Sequence, residues 1–250
     1  MSLTTISTGN LVRKQFQYKM KAYIGVFSSL MVLQILAILF SLGGSGGSGG
    51  SGSHGISINV RYYSASIVVV FTMLWAFISA ILITTKAYRE DDFTFVTNRV
   101  TANLSNIVFL GTASIIGGVT AVLSGYLLKV VMYYVPDSGQ FIGISSGPSP
   151  LELLFGLFAT ILFVFMFSSL GYLVGTLVQL HKIFVVVLPV VFFGYITFGE
   201  QRIGIHPLIQ LGEFYFQETS FPLFLSKAVI TIAILFTGSV LLSNRMEVRR

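Results

Sequence analysis

The chain has 250 residues, of which 54% are hydrophobic and only 10% are charged. A soluble domain usually carries about 25% charged residues, so this composition excludes an ordinary soluble protein and predicts a membrane protein. The net charge is +6, but the basic residues flank apolar runs and form no stripe, which favours anionic lipid headgroups over nucleic acid as their partner. The absence of cysteine excludes disulfide bonds and thiolate metal sites.

Six apolar runs predict six transmembrane helices, because a bilayer core needs about 20 mainly apolar residues per helix. The runs cover residues 22–42, 64–84, 104–132, 151–180, 183–198 and 222–243. The fifth run is the shortest and carries Pro189 in its middle. We therefore predict an all-α integral membrane protein in which residues 1–250 form a single transmembrane domain.

Lysine and arginine residues are concentrated in alternate gaps between these runs. They are frequent after the last run, between the second and third runs, and before the first run, where they are Arg13, Lys14, Lys19 and Lys21. By the positive-inside rule these segments face the cytosol. We expect a multi-pass protein of the cell membrane with both termini in the cytosol, as an even number of spans requires.

Residues 9–21 have the pattern of an amphipathic helix that lies in the membrane interface. One helical face carries Val12, Phe16, Met20 and Tyr23, and Arg13, Lys14, Gln17 and Lys21 lie off that face. Such a helix sinks its apolar side into the acyl boundary and holds its cations at the headgroups. The alternative is a simple cytosolic start to the first span.

Residues 43–53 read GGSGGSGGSGS and predict a flexible coil, because they have almost no side chains to bury. The regular triplet is typical of an engineered linker that replaces a longer outer loop, and a native Gly/Ser-rich loop remains the alternative. No Lys-Ser/Thr pair follows the glycines, so the segment is not a phosphate-binding loop.

Small residues form a stripe along one face of the third run, and the fourth run carries a second small pair. The positions are Gly111, Ser114, Gly118, Ala121 and Gly125, followed by Gly171 and Gly175. Small residues let helix backbones approach closely in lipid, where no hydrophobic force drives association. We expect packing inside one subunit, with a substrate path or a second subunit as the alternative.

Residues 199–221 follow the short fifth run and mix apolar with polar residues, which predicts a re-entrant or interfacial hairpin on the outer side. Glu200 and Glu213 could line an outer gate there, although solvated acids at the interface are the commoner case. His54, His181 and His206 fall on opposite sides of the membrane in this topology, so they predict no metal site.

Residues 86–100, between the second and third runs, form the most informative polar segment. Acidic residues at positions 90–92 directly precede apolar residues at positions 93, 95 and 96. Carboxylates are favourable at the start of a helix, where they meet unpaired amides and the positive end of the dipole. A short helix here could present apolar side chains to a cytosolic partner, whereas a solvated hairpin is the alternative.

This segment reads Arg-Glu-x-x-Phe-x-Phe-x-x-x-Arg, and with the six spans, the N-terminal helix and the outer hairpin it resembles the permease subunit of a type-2 ABC transporter. The resemblance implies a coupling helix that docks on a separate cytosolic ABC ATPase subunit. It also implies a second permease subunit, as a homodimer or heterodimer, and export as the direction of transport. The implied coupling residues are Tyr88, Arg89, Glu90, Asp91, Asp92, Phe93, Phe95, Val96 and Arg99.

The chain contains no G-x-x-x-x-G-K-[ST] motif, so ATP and Mg would bind the partner ATPase, and we expect neither an enzyme nor a cofactor in this chain. Two other classes remain. A self-sufficient secondary transporter or channel usually needs ionisable residues or broken helices near the membrane centre, and these spans have almost none. A non-transporting membrane sensor or immunity protein is the other alternative. The cargo is not identified by the sequence.

Overall fold

A computed structural model of the protein describes residues 8–43, 45–50, 57–62, 64–88, 98–134, 149–203, 207–216, 218 and 220–245. These residues are mainly helical. The helices are α1 (Thr8–Ala22), α2 (Ile24–Leu42), α3 (Ser66–Thr84), α4 (Arg99–Tyr134), α5 (Pro150–Leu180), α6 (Phe184–Ile203), α7 (Pro207–Phe216) and α8 (Phe221–Arg245). Two strands, β1 (Ser45–Gly50) and β2 (Ser57–Tyr62), lie between α2 and α3.

Five helices are long and apolar enough to cross a membrane, namely α2, α3, α4, α5 and the Phe221–Asn244 part of α8. The chain is therefore a multi-pass membrane protein. The described apolar part of α6, Phe184–Tyr195, is shorter. The sixth span and the re-entrant hairpin remain predictions.

The Gly/Ser segment forms a strand in the structure, whereas the sequence predicted a flexible coil. Apart from this strand pair, the regular elements of the described residues are helices, which confirms the predicted all-α class. β1 pairs antiparallel with β2, from Ser45 opposite Tyr62 to Gly50 opposite Ser57. The sequence of β2 is SINVRY, whose alternating Ile58, Val60 and Tyr62 favour an extended strand. Strand backbone needs hydrogen-bond partners, and the adjacent glycine-rich backbone supplies them.

Helix α5 begins at a complete capping box. The backbone N–H of Glu152 donates to Ser149 Oγ at 3.3 Å, and the N–H of Ser149 donates to Glu152 Oε2 at 3.0 Å. Pro150 occupies the first helical turn, where its missing N–H costs nothing. This capping box fixes the start of α5, which packs against α3, α4 and α8.

The small residues of α5 let it lie directly against α3. A Cβ atom at Gly171 would collide with the carbonyl oxygen of Phe77, and one at Gly175 would collide with the side chain of Thr84. On the other side of α5, a Cβ at Gly118 of α4 would lie 2.6 Å from Ile161 Cγ1. The backbones touch because no side chain separates them, which is how helices associate in lipid.

The rest of the small-residue stripe also packs within this chain. Gly125 lies against Ala65 at the start of α3, and Gly111 faces the ring of Phe165. Ala121 is buried with residues of α2 and α3, while Ser114 donates to the carbonyl of its own helix at Leu110. The stripe therefore faces neighbouring helices of the same subunit.

Polar side chains add hydrogen bonds between α2 and its neighbours. The Gln34 Nε2 atom donates to Thr72 Oγ1 of α3 at 3.1 Å and to Thr120 Oγ1 of α4 at 3.0 Å. The indole N–H of Trp75 donates to Ser29 Oγ at 3.0 Å. Such bonds hold helices together where lipid offers no competing water.

Contacts along the helices fix their relative directions. From α5 to α8, Phe155 contacts Phe221, Phe165 contacts Phe236, and Gly238 lies near Leu173. Both sequence numbers rise together, so α5 and α8 run parallel. The same reasoning makes α3 and α5 parallel, because Phe77 meets Gly171 and Thr84 meets Gly175.

The predicted apolar face of α1 lies on the protein. Val12 and Tyr23 are buried, and the half-buried Phe16 and Met20 pack on the cluster that contains Phe109 of α4. The cations at positions 13, 14 and 21 are exposed, as the pattern predicted. The apolar face of α1 therefore packs on α4, whereas the sequence analysis predicted that this face contacts lipid.

The described side chains of α6 are mainly exposed. Val190, Val191, Phe192 and Phe193 are each more than half exposed. Beyond α6, helix α7 folds back on α8: Lys227 forms an ion pair with Glu218 and donates to the carbonyl of Phe214. A hydroxyl pair, Tyr215 with Thr231, joins the same two helices at 2.8 Å.

We expect Gly171→Ala to destabilise the bundle, because the added methyl would push α5 away from α3. Overpacking of this kind costs about 1–3 kcal/mol. Gly156→Ala is the matched control on the same helix, since nothing lies within 4 Å of a Cβ there. Thermal unfolding in lipid nanodiscs should show a lower Tm only for the first variant, and equal Tm values for the two would contradict the close contact.

Candidate functional site

The candidate site is the junction beneath the loop that joins α3 to α4. Of the residues predicted to couple to an ATPase, positions 89–96 lie outside the described residues. Tyr88 and Arg99 stand at the two ends of that stretch and are described. The site is therefore built from the two points where the loop leaves and re-enters the helical bundle.

The first end is held by aromatic packing. The ring of Tyr88 meets the ring of Tyr23 edge-on, with 4.6 Å between centroids. Tyr23 separates α1 from α2, and its ring also meets Phe109 of α4 at 6.0 Å. Aromatic pairs in this geometry contribute about 0.5–1.5 kcal/mol beyond their buried area. The start of the loop is thus fixed to the α1–α2 junction and to α4.

The second end is held by a charged hydrogen bond. Arg99, the first residue of α4, donates from Nη1 to the carbonyl oxygen of Ser243 at 3.0 Å. The last carbonyls of a helix have no partner within the helix, and a cation is favourable beside them. Ser243 lies in the last turn of α8, so the end of the loop is tied to the final helix of the chain.

Between these two ends lies a buried polar network. The Lys19 ammonium donates to Asn106 Oδ1, Asn106 Nδ2 donates to the Tyr172 hydroxyl at 3.3 Å, and that hydroxyl donates to Asn103 Oδ1 at 2.8 Å. Lys19 and Tyr172 are each only 1% exposed. The network joins α1, α4 and α5 through side chains alone.

This network couples its three helices because breaking it is costly. A buried charge is tolerated only when it is hydrogen-bonded, and a polar group left without a partner costs about 1–3 kcal/mol. Chains of hydrogen bonds also fix the geometry of the helices that carry them. We conclude that the network holds the last turns of α1 against α4 and α5 at the base of the loop.

The sequence interpretation missed this network. It treated Lys19 as one of several cytosolic cations, and it gave no role to Asn103, Asn106 or Tyr172. The signal was present, since Lys19 lies seven residues after Val12 and four before Tyr23, which puts all three on one helical face. Asn103 and Asn106, three residues apart, share a face of α4 in the same way.

Of the two acids predicted to line an outer gate, the structure describes the side chain of one. Glu213 is exposed on α7, and the side chain of Glu200 lies outside the described part of the chain. Within the described residues, no group of three or more His, Asp or Glu side chains could hold a metal ion. The outer gate remains a prediction.

No protein-family model matches this chain, and neither a curated protein nor a solved structure matches it.

We expect Tyr172→Phe to destabilise the protein, because its hydroxyl is the only described link between the two asparagine amides of the network. The loss should be about 1–3 kcal/mol, as for other buried polar groups left without partners. Tyr195→Phe, at an exposed position of α6, is the control. Thermal unfolding of both variants in nanodiscs checks this, and a Tm for Tyr172→Phe equal to the control would show that the network adds no stability.

Proposed function

We propose that the chain is the permease subunit of a type-2 ABC exporter, driven by a separate ATPase that binds residues 86–100. The observation that carries the proposal is the attachment of both loop ends to the bundle. Tyr88 packs on Tyr23, and Arg99 bonds Ser243. A solvated hairpin needs neither attachment, whereas a loop that transmits force needs both.

The mechanism follows from these attachments. When ATP closes two ATPase subunits on each other, each would pull or tilt the loop docked on it. Displacement of the first end would pass through Tyr23 to α1 and α2, and displacement of the second would pass through Arg99 to α8. The polar network would keep α4 and α5 moving with α1, so the helices would rock as rigid bodies between inward and outward shapes.

The loop residues would make different kinds of contact with the ATPase. Phe93, Phe95 and Val96 would enter an apolar cleft of the ATPase, and the acids at positions 90–92 would set the register by charge. Arg99 would act as an anchor, since its guanidinium already binds the end of α8. ATP and Mg would be held by the ATPase, and a second permease subunit would complete the pathway.

The parallel directions of α5 and α8 support six spans. A chain that leaves one membrane face at the end of α5 must cross the bilayer again before it can start α8 in the same direction. Helix α6 has 20 residues, which corresponds to about 30 Å and matches the thickness of the hydrocarbon core. We therefore assign α6 as the fifth span and α7 to the outer side, which leaves both termini in the cytosol.

We expect Phe93→Ala and Asp92→Lys to uncouple ATP hydrolysis from transport, because each would remove a docking contact with the ATPase. Tyr133→Ala, which truncates an exposed aromatic residue at the far end of α4, is the control. Co-purification of the ATPase should fall at least tenfold for the two loop variants and stay unchanged for the control, with equal membrane insertion in all three. Normal co-purification and transport in both loop variants would remove the assignment.

The six-span topology predicts that Lys182 and Gln210 lie on opposite sides of the membrane. The chain has no cysteine, so Lys182→Cys and Gln210→Cys each introduce a single thiol at an exposed position. A membrane-impermeant maleimide applied to intact cells should label position 210 at once and position 182 only after permeabilisation. Labelling of both from the same side would show that α6 does not cross.

A further inference from the structure

The buried face of α1 changes in character along its length. At its end, Tyr23 lies among aromatic rings, and one turn earlier Lys19 bonds Asn106. A further turn earlier lies Gln15, which is 1% exposed. Neither amide atom of Gln15 has a hydrogen-bond partner among the described residues. The end of α1 is therefore held to the bundle by specific contacts, whereas a buried amide nearer its start lacks hydrogen-bond partners.

The surface of α4 that faces α1 also carries a buried polar group without a hydrogen-bond partner. Lys19 meets Asn106 and Tyr23 meets Phe109, so the two helices run side by side in the same direction. One turn earlier on both helices, Gln15 comes level with Asn103. The Asn103 Nδ2 atom is buried and also lacks a partner in the described part of the chain.

These unmet groups weaken the docked position of the first half of α1. Each buried polar group without a partner disfavours the closed state by a factor of about five to a hundred, because water would satisfy it in an open state. Regions with such small opening free energies open locally while the rest of the fold stays intact.

The backbone separates this half of α1 from α2. Between the two helices the regular helix is interrupted at Tyr23, whose φ of −104° and ψ of 32° are not helical. The Tyr23 N–H still donates to the carbonyl of Lys19 at 2.9 Å, and the Tyr23 carbonyl accepts from the N–H of Val26 at 3.0 Å. The interruption is confined to one residue, so the first half of α1 can open without displacing α2.

We infer that the N-terminal half of α1 is a flap that opens away from α4, while the Lys19–Asn106 bond and the contacts of Tyr23 hold the last turns of α1 in place. Opening exposes Gln15 and the polar face of α4 to water. This property belongs to the isolated chain and does not rest on the proposed coupling to an ATPase.

The test is hydrogen exchange of the chain alone in lipid nanodiscs, with no ATPase present. Amides of residues 12–16 should exchange faster than amides of residues 19–23. Gln15→Leu should slow exchange at residues 12–16 by about tenfold or more, because it removes the unmet amide and adds apolar contact. Gln17→Leu is the matched control, since Gln17 is exposed on the same helix.

Simple fraying of the helix end is the rival explanation, and it predicts equal effects of the two substitutions. Equal effects would overturn the proposal, as would exchange at residues 12–16 as slow as in the middle of α4. Gln15→Met serves if leucine disturbs folding. Spin labels attached to Arg13→Cys and Val108→Cys give a second measurement, the distance between α1 and α4. Two distances are expected in the otherwise unchanged chain and one distance when Gln15→Leu is added. A single distance in both proteins would contradict the flap.

Discussion

The direct contact of α5 with α3, through Gly171 and Gly175, is the constraint on which the rest of the structure depends. Lipid supplies no hydrophobic force between helices, so this bundle is held where backbones can touch and dispersion contacts are dense. With α3 and α5 fixed in parallel, α4 packs antiparallel against α5 through Gly118, and α8 lies parallel to α5 on its other side. The helix directions set by these contacts are what place the α3–α4 loop, the start of α1 and the end of α8 at one end of the bundle.

The end that carries the loop is built differently from the membrane core. Its contacts are polar or mixed. They are the aromatic packing at Tyr88, the bond from Arg99 to α8 and the network around Lys19 and Asn106. An apolar core would be more stable, but these contacts tie the residues on either side of the α3–α4 segment to several helices at once. This construction suits the proposed role, in which this end of the molecule receives force from an ATPase, and the proposed opening of α1 would take place at the same end.

Much of the helical layout could be read from the sequence, because the apolar runs are local features. The β1–β2 pairing could not, since glycine and serine carry no strand pattern and pairing depends on the segment that follows. The docking of α1 on α4 was also missed. Its periodicity is the same whether the apolar face meets lipid or protein, and only the burial of Gln15 and Lys19 on that face distinguishes the two. The Tyr172 network joins three helices that are distant in sequence, so helical spacing can place Lys19, Asn103 and Asn106 on particular faces but cannot show which partners they meet.

The central claim is that the segment joining α3 and α4 is held by a nucleotide-hydrolysing partner. A photo-crosslinking amino acid placed at position 93, in cells that express the chain from its own genetic context, tests this most directly. The account predicts a crosslinked protein of the cytosol that contains a G-x-x-x-x-G-K-[ST] motif, and loss of that product when Asp92 is also changed to lysine. A crosslink to lipid alone, or to proteins without a nucleotide-binding motif, would contradict it.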